Sequence, residues 1–155
     1  MTLYIVRHAD AKSRSAWEAD DRLRPLTKKG ERQAAEIAQR LASAEVQRVL
    51  SSPAVRCLTT VAPLAKAHGV DVHPTELLFE GAAPKAAYQL VLEQTQRDGD
   101  AVLCAHGDLI PEMLRRAAKD GAELVGGYRW AKGSTWALST ASGAIVSGRY
   151  QPPPD

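Results

Sequence analysis

Leu3-Tyr4-Ile5-Val6-Arg7-His8-Ala9-Asp10 decides how the rest of the chain is read. Four apolar residues in a row, two of them β-branched, predict a strand buried on both faces. Arg7, His8 and Asp10 follow at once, so the strand's end opens into something polar. In an α/β sheet, ligands bind at the carboxyl ends of the strands. This end therefore predicts a catalytic or anion-binding mouth around Arg7 and His8.

Working outward, residues 10 to 26 are polar and charged and read as a long loop, a length that is often functional. Thr27 is placed to cap a helix whose apolar face is Ala34, Ile37, Ala38, Leu41 and Ala42, with Gln33, Glu36, Gln39 and Arg40 opposite. Val46 to Ser51 predicts a second strand. Ser52-Pro53 then predicts a helix start, with serine as the cap and proline at the first helical position. Val55, Leu58, Ala62 and Ala65 are its predicted inward face, Pro63 its expected kink and Gly69 its stop. A brief strand over Val70 to His73, an irregular stretch over 74 to 84 and a helix from Pro84 to Arg97 follow. Ala101 to Ala105 predicts a fourth buried strand, ending on His106-Gly107-Asp108, and a helix from Leu109 to Lys119 leaves it. A glycine-rich connection over 120 to 133 leads into a hairpin turning at Ala141-Ser142-Gly143.

Strands alternating with helices predict an α/β fold: a three-layer α/β/α sandwich with a mostly parallel central sheet. At 155 residues, with one composition regime and no repeats, the chain predicts a single domain over 1–151 and a flexible tail at 152–155. The net charge of +2 is too small to argue for nucleic acid or membrane partners. Three Trp, four Tyr and one Phe make no basic-aromatic stripe, which sets a nucleic-acid binder aside. The basic excess between Lys12 and Arg32 reads either as a solvated face or as a rim that draws in anions. Cys57 and Cys104 show no metal or disulfide spacing and read as reduced core residues. With no signal-like segment and no membrane-length apolar run, the expected location is cytoplasmic.

Two strands end in histidine, His8 and His106, and the Ser52-Pro53 helix carries Arg56 on its first turn. If the strands are parallel, Arg7, His8, Arg56 and His106 converge on one mouth. Two guanidiniums, two imidazoles and helix N-termini suit a compact dianion such as a phosphoryl group, which arginine matches with paired donors. A histidine in such a pocket can attack phosphorus and hold it covalently. Taken singly, each residue has a plain structural reading, as hydrogen-bonder or salt-bridge partner. A metal site is the chemical competitor, and two arginines would repel its cation.

Those residues resemble the histidine phosphatase, or phosphoglycerate mutase-like, superfamily. Arg7-His8-Ala9 resembles its Arg-His-Gly, Thr27 to Ala34 its next helix start, Ser51-Ser52-Pro53-Ala54-Val55-Arg56 with Thr60 its second arginine motif, and His106-Gly107 its second histidine. Short length, Arg-His-x-Asp and Arg24-Pro25-Leu26-Thr27 favour the SixA-like branch. Lys132 to Trp136 also resembles the phosphatase-like domain that follows a Nudix domain in some MutT-type hydrolases.

The resemblance implies a phosphatase with no metal or other cofactor. His8 is its nucleophile, Arg7, Arg56 and His106 hold the phosphoryl oxygens, and Gly107 lies in the binding site. The implied substrate is a protein phosphohistidine, with a small phosphomonoester or nucleotide as the alternative. Glu80 stands where larger members supply a general acid, with Glu76 and Asp10 in reserve; a solvated loop carboxylate is the other reading. Ala9 departs from the family's glycine, which requires a negative φ there. A non-catalytic phosphate-binding module is the remaining class.

Overall fold

A computed structural model describes residues 1–155. The strands are β1 (Thr2–Arg7), β2 (Val46–Ser51), β3 (Val72–Pro74), β4 (Asp100–Ala105), β5 (Glu123–Val125), β6 (Thr135–Ala141) and β7 (Ala144–Gln151). The helices are α1 (Lys28–Arg40), α2 (Val55–His68), α3 (Pro84–Gln94) and α4 (Ile110–Lys119). One seven-stranded sheet, ordered β3-β2-β4-β1-β6-β7-β5, holds all the strands. β3, β2, β4 and β1 run parallel, β6 is antiparallel to β1 and to β7, and β5 lies parallel to β7.

Strand alternation sorts the core into two halves. Leu3 and Ile5 of β1, with Ala101 and Leu103 of β4, face Val91, Ile110, Met113 and Leu114 of α3 and α4. Val6, Val102 and Cys104 point the other way, toward Ile37 and Ala38 of α1 and Val61 and Leu64 of α2. Period-two burial on both faces is why an unbroken apolar run forms a central strand. The three-layer α/β architecture expected from the sequence is the one observed.

Several local expectations are corrected. Ser52 does not cap a helix: α2 begins at Val55, its N-cap Ala54 makes no side-chain cap, and the hydroxyl of Ser52 is used elsewhere. The buried face of α2 is Arg56, Cys57, Thr60, Val61, Leu64 and Ala65, so Val55, Leu58 and Ala62 are not the core residues. That face was hidden because an arginine and a threonine hold two of its positions. The helix runs on through Pro63 and ends at Gly69, whose φ of 67° is the left-handed cap. Gln33 is buried and Ala42 exposed, the reverse of the expected pattern. β5 lies inside the glycine-rich connection, too short to show periodicity. The β6–β7 turn has φ of 53° at Ser142 and 75° at Gly143, the twist a two-residue hairpin needs.

Two 3₁₀ turns, Arg14–Ala16 and Asp21–Leu23, shape the long loop, which an Ala11–Leu26 bridge closes at its base. At the other end of the chain, Arg40 donates to the Pro152 carbonyl (2.6 Å) and Gln33 to that of Pro154 (3.2 Å), laying residues 152–154 along α1. No helix is long and apolar enough to cross a membrane.

Candidate active site

Parallel strand ends assemble the site. Arg7 pairs with Ala105 and Ser51 with Cys104, so the next residues, His8, His106 and Ser52, leave one sheet edge side by side. The ladder continues one step beyond the strands, His8 N–H donating to Ala105 O (3.2 Å) and Ser52 N–H to Cys104 O (3.0 Å). The two imidazoles meet edge to face, with centroids 5.5 Å apart. Arg56 reaches under them from the first turn of α2, its guanidinium wholly buried.

Hydrogen bonds assign the ring protons. Nδ1 of His8 lies 2.9 Å from the Ala9 carbonyl, which can only accept, so Nδ1 carries the proton and Nε2 keeps its lone pair. Burial, opposed by that carbonyl and joined by the electrostatic influence of the neighbouring His106, Arg56 and Arg7, pushes His8 down to about 3. The ring is therefore neutral at physiological pH. His106 is placed oppositely. Its Nδ1 faces Arg56 Nη2 (3.4 Å), a donor, so Nε2 carries the proton and donates to Ser52 Oγ (2.8 Å). Ser52 Oγ also accepts from the Ala54 N–H (3.2 Å), which leaves it oriented from two sides. Phe79 covers His106 edge-on at 5.7 Å.

The arginines are gripped from behind. Arg7 donates through Nη1 to the Trp130 carbonyl (2.9 Å) and lies over Gly107, where an added Cβ would fall 2.7 Å from its Cζ. Arg56 donates through Nη1 to the backbone carbonyl of Asp21 (2.9 Å), and its Nη2 is 3.1 Å from the Asp21 carboxylate. The Nε–H groups of both arginines are buried without a hydrogen-bond partner. Burial pulls the Arg7 guanidinium below its usual range, and Glu80 and Asp108 work against the shift. Asp21 also takes Arg24 Nε (3.0 Å). Burial raises its carboxyl, and the Arg24 hydrogen bond with the charges of Arg56, Arg24 and Arg14 more than reverses that.

Above this floor opens a cleft of about 380 Å³ lined by no hydrophobic residue. Arg7, Arg14, Arg24 and Lys132 face Glu80 and Asp108 across it, with His8 and Gly107 at the base. A wider groove of about 660 Å³ crosses the β1–β6–β7 face but holds no histidine or cysteine, so size alone does not mark the chemistry. No group of three or more His, Cys, Asp or Glu side chains is placed to hold a metal ion.

The model of the histidine phosphatase superfamily (branch 1) matches residues 3–85, more than half of the chain. The chain belongs to the histidine phosphatase superfamily. An 8-oxo-(d)GTP phosphatase of Mycolicibacterium smegmatis is 37% identical over 160 residues, which cover 99% of this chain and 49% of that protein. The chain thus spans about half the length of that relative. Among solved structures, the protein histidine phosphatase SixA complexed with tungstate superposes with a TM-score of 0.77 at 19% identity, covering 99% of this chain and 96% of that one. A putative phosphohistidine phosphatase SixA from Nakamurella multipartitia gives 0.68 at 25% identity, covering 99% and 95%.

In this superfamily member the structure brings Arg7, His8, Arg56, His106 and Gly107 together and sets Glu80 at the rim, paired with Arg14 (3.0 and 3.2 Å). Glu76 does not line the cleft; it forms an exposed fork with Arg22 at 2.9 Å. Asp10 accepts from Thr27 Oγ1 (2.6 Å) and joins the loop to α1. Ala9 has a negative φ, since Ser142 alone among non-glycine residues is positive, and its buried methyl packs with Ala11, Leu26 and Ala34. Its N–H donates to Thr60 Oγ1 (2.9 Å).

Sequence reasoning missed Asp21 and Arg24 as parts of the site. Both lie in a charged stretch that reads as a solvated face or an anion-drawing rim without singling out either residue, yet Arg24 is 5% exposed. The unusual length of that loop was the available signal.

Proposed function

We propose that this chain is a metal-independent phosphatase that passes the phosphoryl group through Nε2 of His8. One observation carries the reading: the Ala9 carbonyl holds the His8 proton on Nδ1, leaving a neutral Nε2 as nucleophile beside the buried guanidinium of Arg56 and the half-buried one of Arg7. Nε2 attacks phosphorus as the bond to the leaving group breaks, and the leaving group departs with the electron pair. Water then attacks phosphorus, the N–P bond breaks, and His8 returns to its starting form with release of inorganic phosphate. Arg7 and Arg56 offset the charge on the phosphoryl oxygens, with His106 positioned between Ser52 and Arg56 beneath them, a task of positioning and electrostatics.

The leaving group follows from Glu80. Its oxygens accept from Arg14, and one lies 3.9 Å from Arg56, so the carboxylate is engaged as an acceptor. A group that departs without a donated proton suits this site, which favours a phosphoanhydride or phosphoramidate over a simple ester. Arg14, Arg24 and Lys132 exceed what one phosphoryl group needs and favour a nucleoside polyphosphate. The relative named for 8-oxo-(d)GTP supports that choice. Protein phosphohistidine is the second reading, favoured by the likeness to SixA and by an imidazole's ability to leave unaided.

The test is turnover in the presence of a chelator, comparing nucleoside diphosphate, phosphohistidine peptide and p-nitrophenyl phosphate, with trapping of an acid-labile phosphoenzyme. Nucleotide turnover with a phosphoenzyme that His8→Ala abolishes is the expected result; full turnover by His8→Ala overturns the mechanism. Loss of a general acid costs about 10²–10⁴-fold, whereas Glu80→Gln is expected to change anhydride turnover by less than about tenfold.

A further inference from the structure

A second cavity, about 510 Å³, adjoins the catalytic cleft, and Arg7 lines both. Unlike the cleft it is rich in rings: Tyr128, Trp130, Tyr150, Pro152 and Pro153 line it together with Arg129 and Ala131. Tyr128 is 58% exposed, which leaves its ring open to a partner from solvent. The ring is nevertheless fixed. Its hydroxyl donates to the Pro111 carbonyl (3.1 Å), and the ring meets Trp130 in a T-shaped contact with centroids 4.6 Å apart. A ring already immobilised loses little entropy when a partner stacks on it.

Backbone connections tie this aromatic shelf to the phosphoryl site. The Trp130 carbonyl accepts from Arg7 Nη1 (2.9 Å), and Gly133 N–H donates to the His8 carbonyl (2.9 Å). Lys132, two residues beyond Trp130, lines the catalytic cleft. Two residues span at most about 7 Å of backbone, and with Arg7 lining both cavities the rings and the cationic cleft are neighbours. The charges agree as well, since Arg7 borders both the rings and His8, and Lys132 lines the cleft with His8.

We propose that the Tyr128–Trp130 shelf is a nucleobase subsite. It stacks the planar base of a nucleoside polyphosphate while Arg14, Arg24 and Lys132 take the inner phosphates and His8 meets the terminal one. The inference rests on the nucleotide reading above and adds to it the residues that select for a base. Stacking is indifferent to which base is offered, because every base has a π-face. The shelf therefore separates nucleotides from ring-free anhydrides and leaves discrimination among bases to other contacts.

Kinetics with a nucleoside diphosphate and with inorganic pyrophosphate, which offers the same anhydride without a ring, test this. In Tyr128→Ala the ratio of kcat/KM for nucleotide over pyrophosphate is expected to fall about tenfold, through KM, in line with alanine replacement of a stacking ring. Tyr128→Phe, which keeps the ring and loses only the hydroxyl, is expected to retain most of the ratio. An unchanged ratio in Tyr128→Ala overturns the subsite. Calorimetric titration with a nucleoside monophosphate reads the shelf without turnover. Binding to wild type that Tyr128→Ala weakens supports it, and absence of binding to wild type overturns it. Failure of the wild type to hydrolyse any nucleotide, with monophosphate binding intact, counts against the reaction and leaves the subsite standing.

Discussion

Gly107 shows how much one absent methyl decides. An added Cβ would lie 2.7 Å from both Cζ and Nη2 of Arg7, a guanidinium pinned at its far side by the Trp130 carbonyl. The obstructed atoms are the end of a side chain, so the fold can absorb the change while the clamp cannot. Gly107→Ala is expected to lower kcat/KM by about 10- to 100-fold, the worth of a hydrogen bond to a charged group, with the thermal midpoint nearly unmoved. Steady-state kinetics beside a melting curve check both halves. At the same scale, Asp21 turns a fully buried Arg56 from a liability into a tool: it takes Nη1 through its carbonyl and Nη2 through its carboxylate. A buried charge without such a partner costs several kcal/mol, on the order of 3–5 when one member of a pair is removed.

At the scale of elements, the first turn of α1 is locked against the end of β1. Glycine inside a helix normally destabilises by roughly 0.5–1 kcal/mol relative to alanine, so Gly→Ala is usually a gain. Gly30 reverses the sign. Its added Cβ would fall 2.0 Å from the Asp10 carbonyl oxygen, and backbone cannot step aside as a side-chain tip can. Gly30→Ala is expected to destabilise by about 1–3 kcal/mol, the usual cost of overpacking, read as a lower urea midpoint at unchanged slope. Activity should fall with it, because Asp10 is two residues from His8 and its carbonyl accepts from Thr27 N–H (3.0 Å). α2 makes a related point. Its inward face mixes Val61 and Leu64 with Arg56 and Thr60, so the helix serves the core and the site from one surface.

For the molecule as a whole, burying a neutral histidine leaves a mark on stability. Folding pushes the His8 imidazole down to about 3 from the ordinary 6.5, because burial disfavours its charged form and His106, Arg56 and Arg7 add to the effect. Between those values the unfolded chain binds a proton that the folded one refuses. Stability is therefore fully present above about pH 6.5 and declines as pH falls toward 3. The slope from this one group approaches about 1.4 kcal/mol per pH unit. Urea unfolding of wild type and His8→Gln at pH 7, 5.5 and 4.5 checks it: the variant's stability is expected to fall less steeply. By the same reasoning kcat/KM should show no loss near pH 6.5 from protonation of His8.

Much of this was legible in the residues themselves. An apolar run with period-two burial made β1 a central strand, and the alternation of strands and helices set the layers. Strand-end chemistry at Arg7-His8 and His106, with Arg56 after Ser51-Ser52-Pro53, marked out the four residues that the structure gathers. The hydrophobic pattern failed where a site borrows core positions. Arg56 and Thr60 are buried because Asp21 and Ala9 meet their polar groups, and no periodicity can announce a partner 35 or 51 residues away. The protons on His8 and His106, the acceptor role of Glu80 and the aromatic shelf beside Arg7 likewise belong to tertiary structure. Each depends on a carbonyl or a guanidinium that only the folded chain brings within hydrogen-bonding distance.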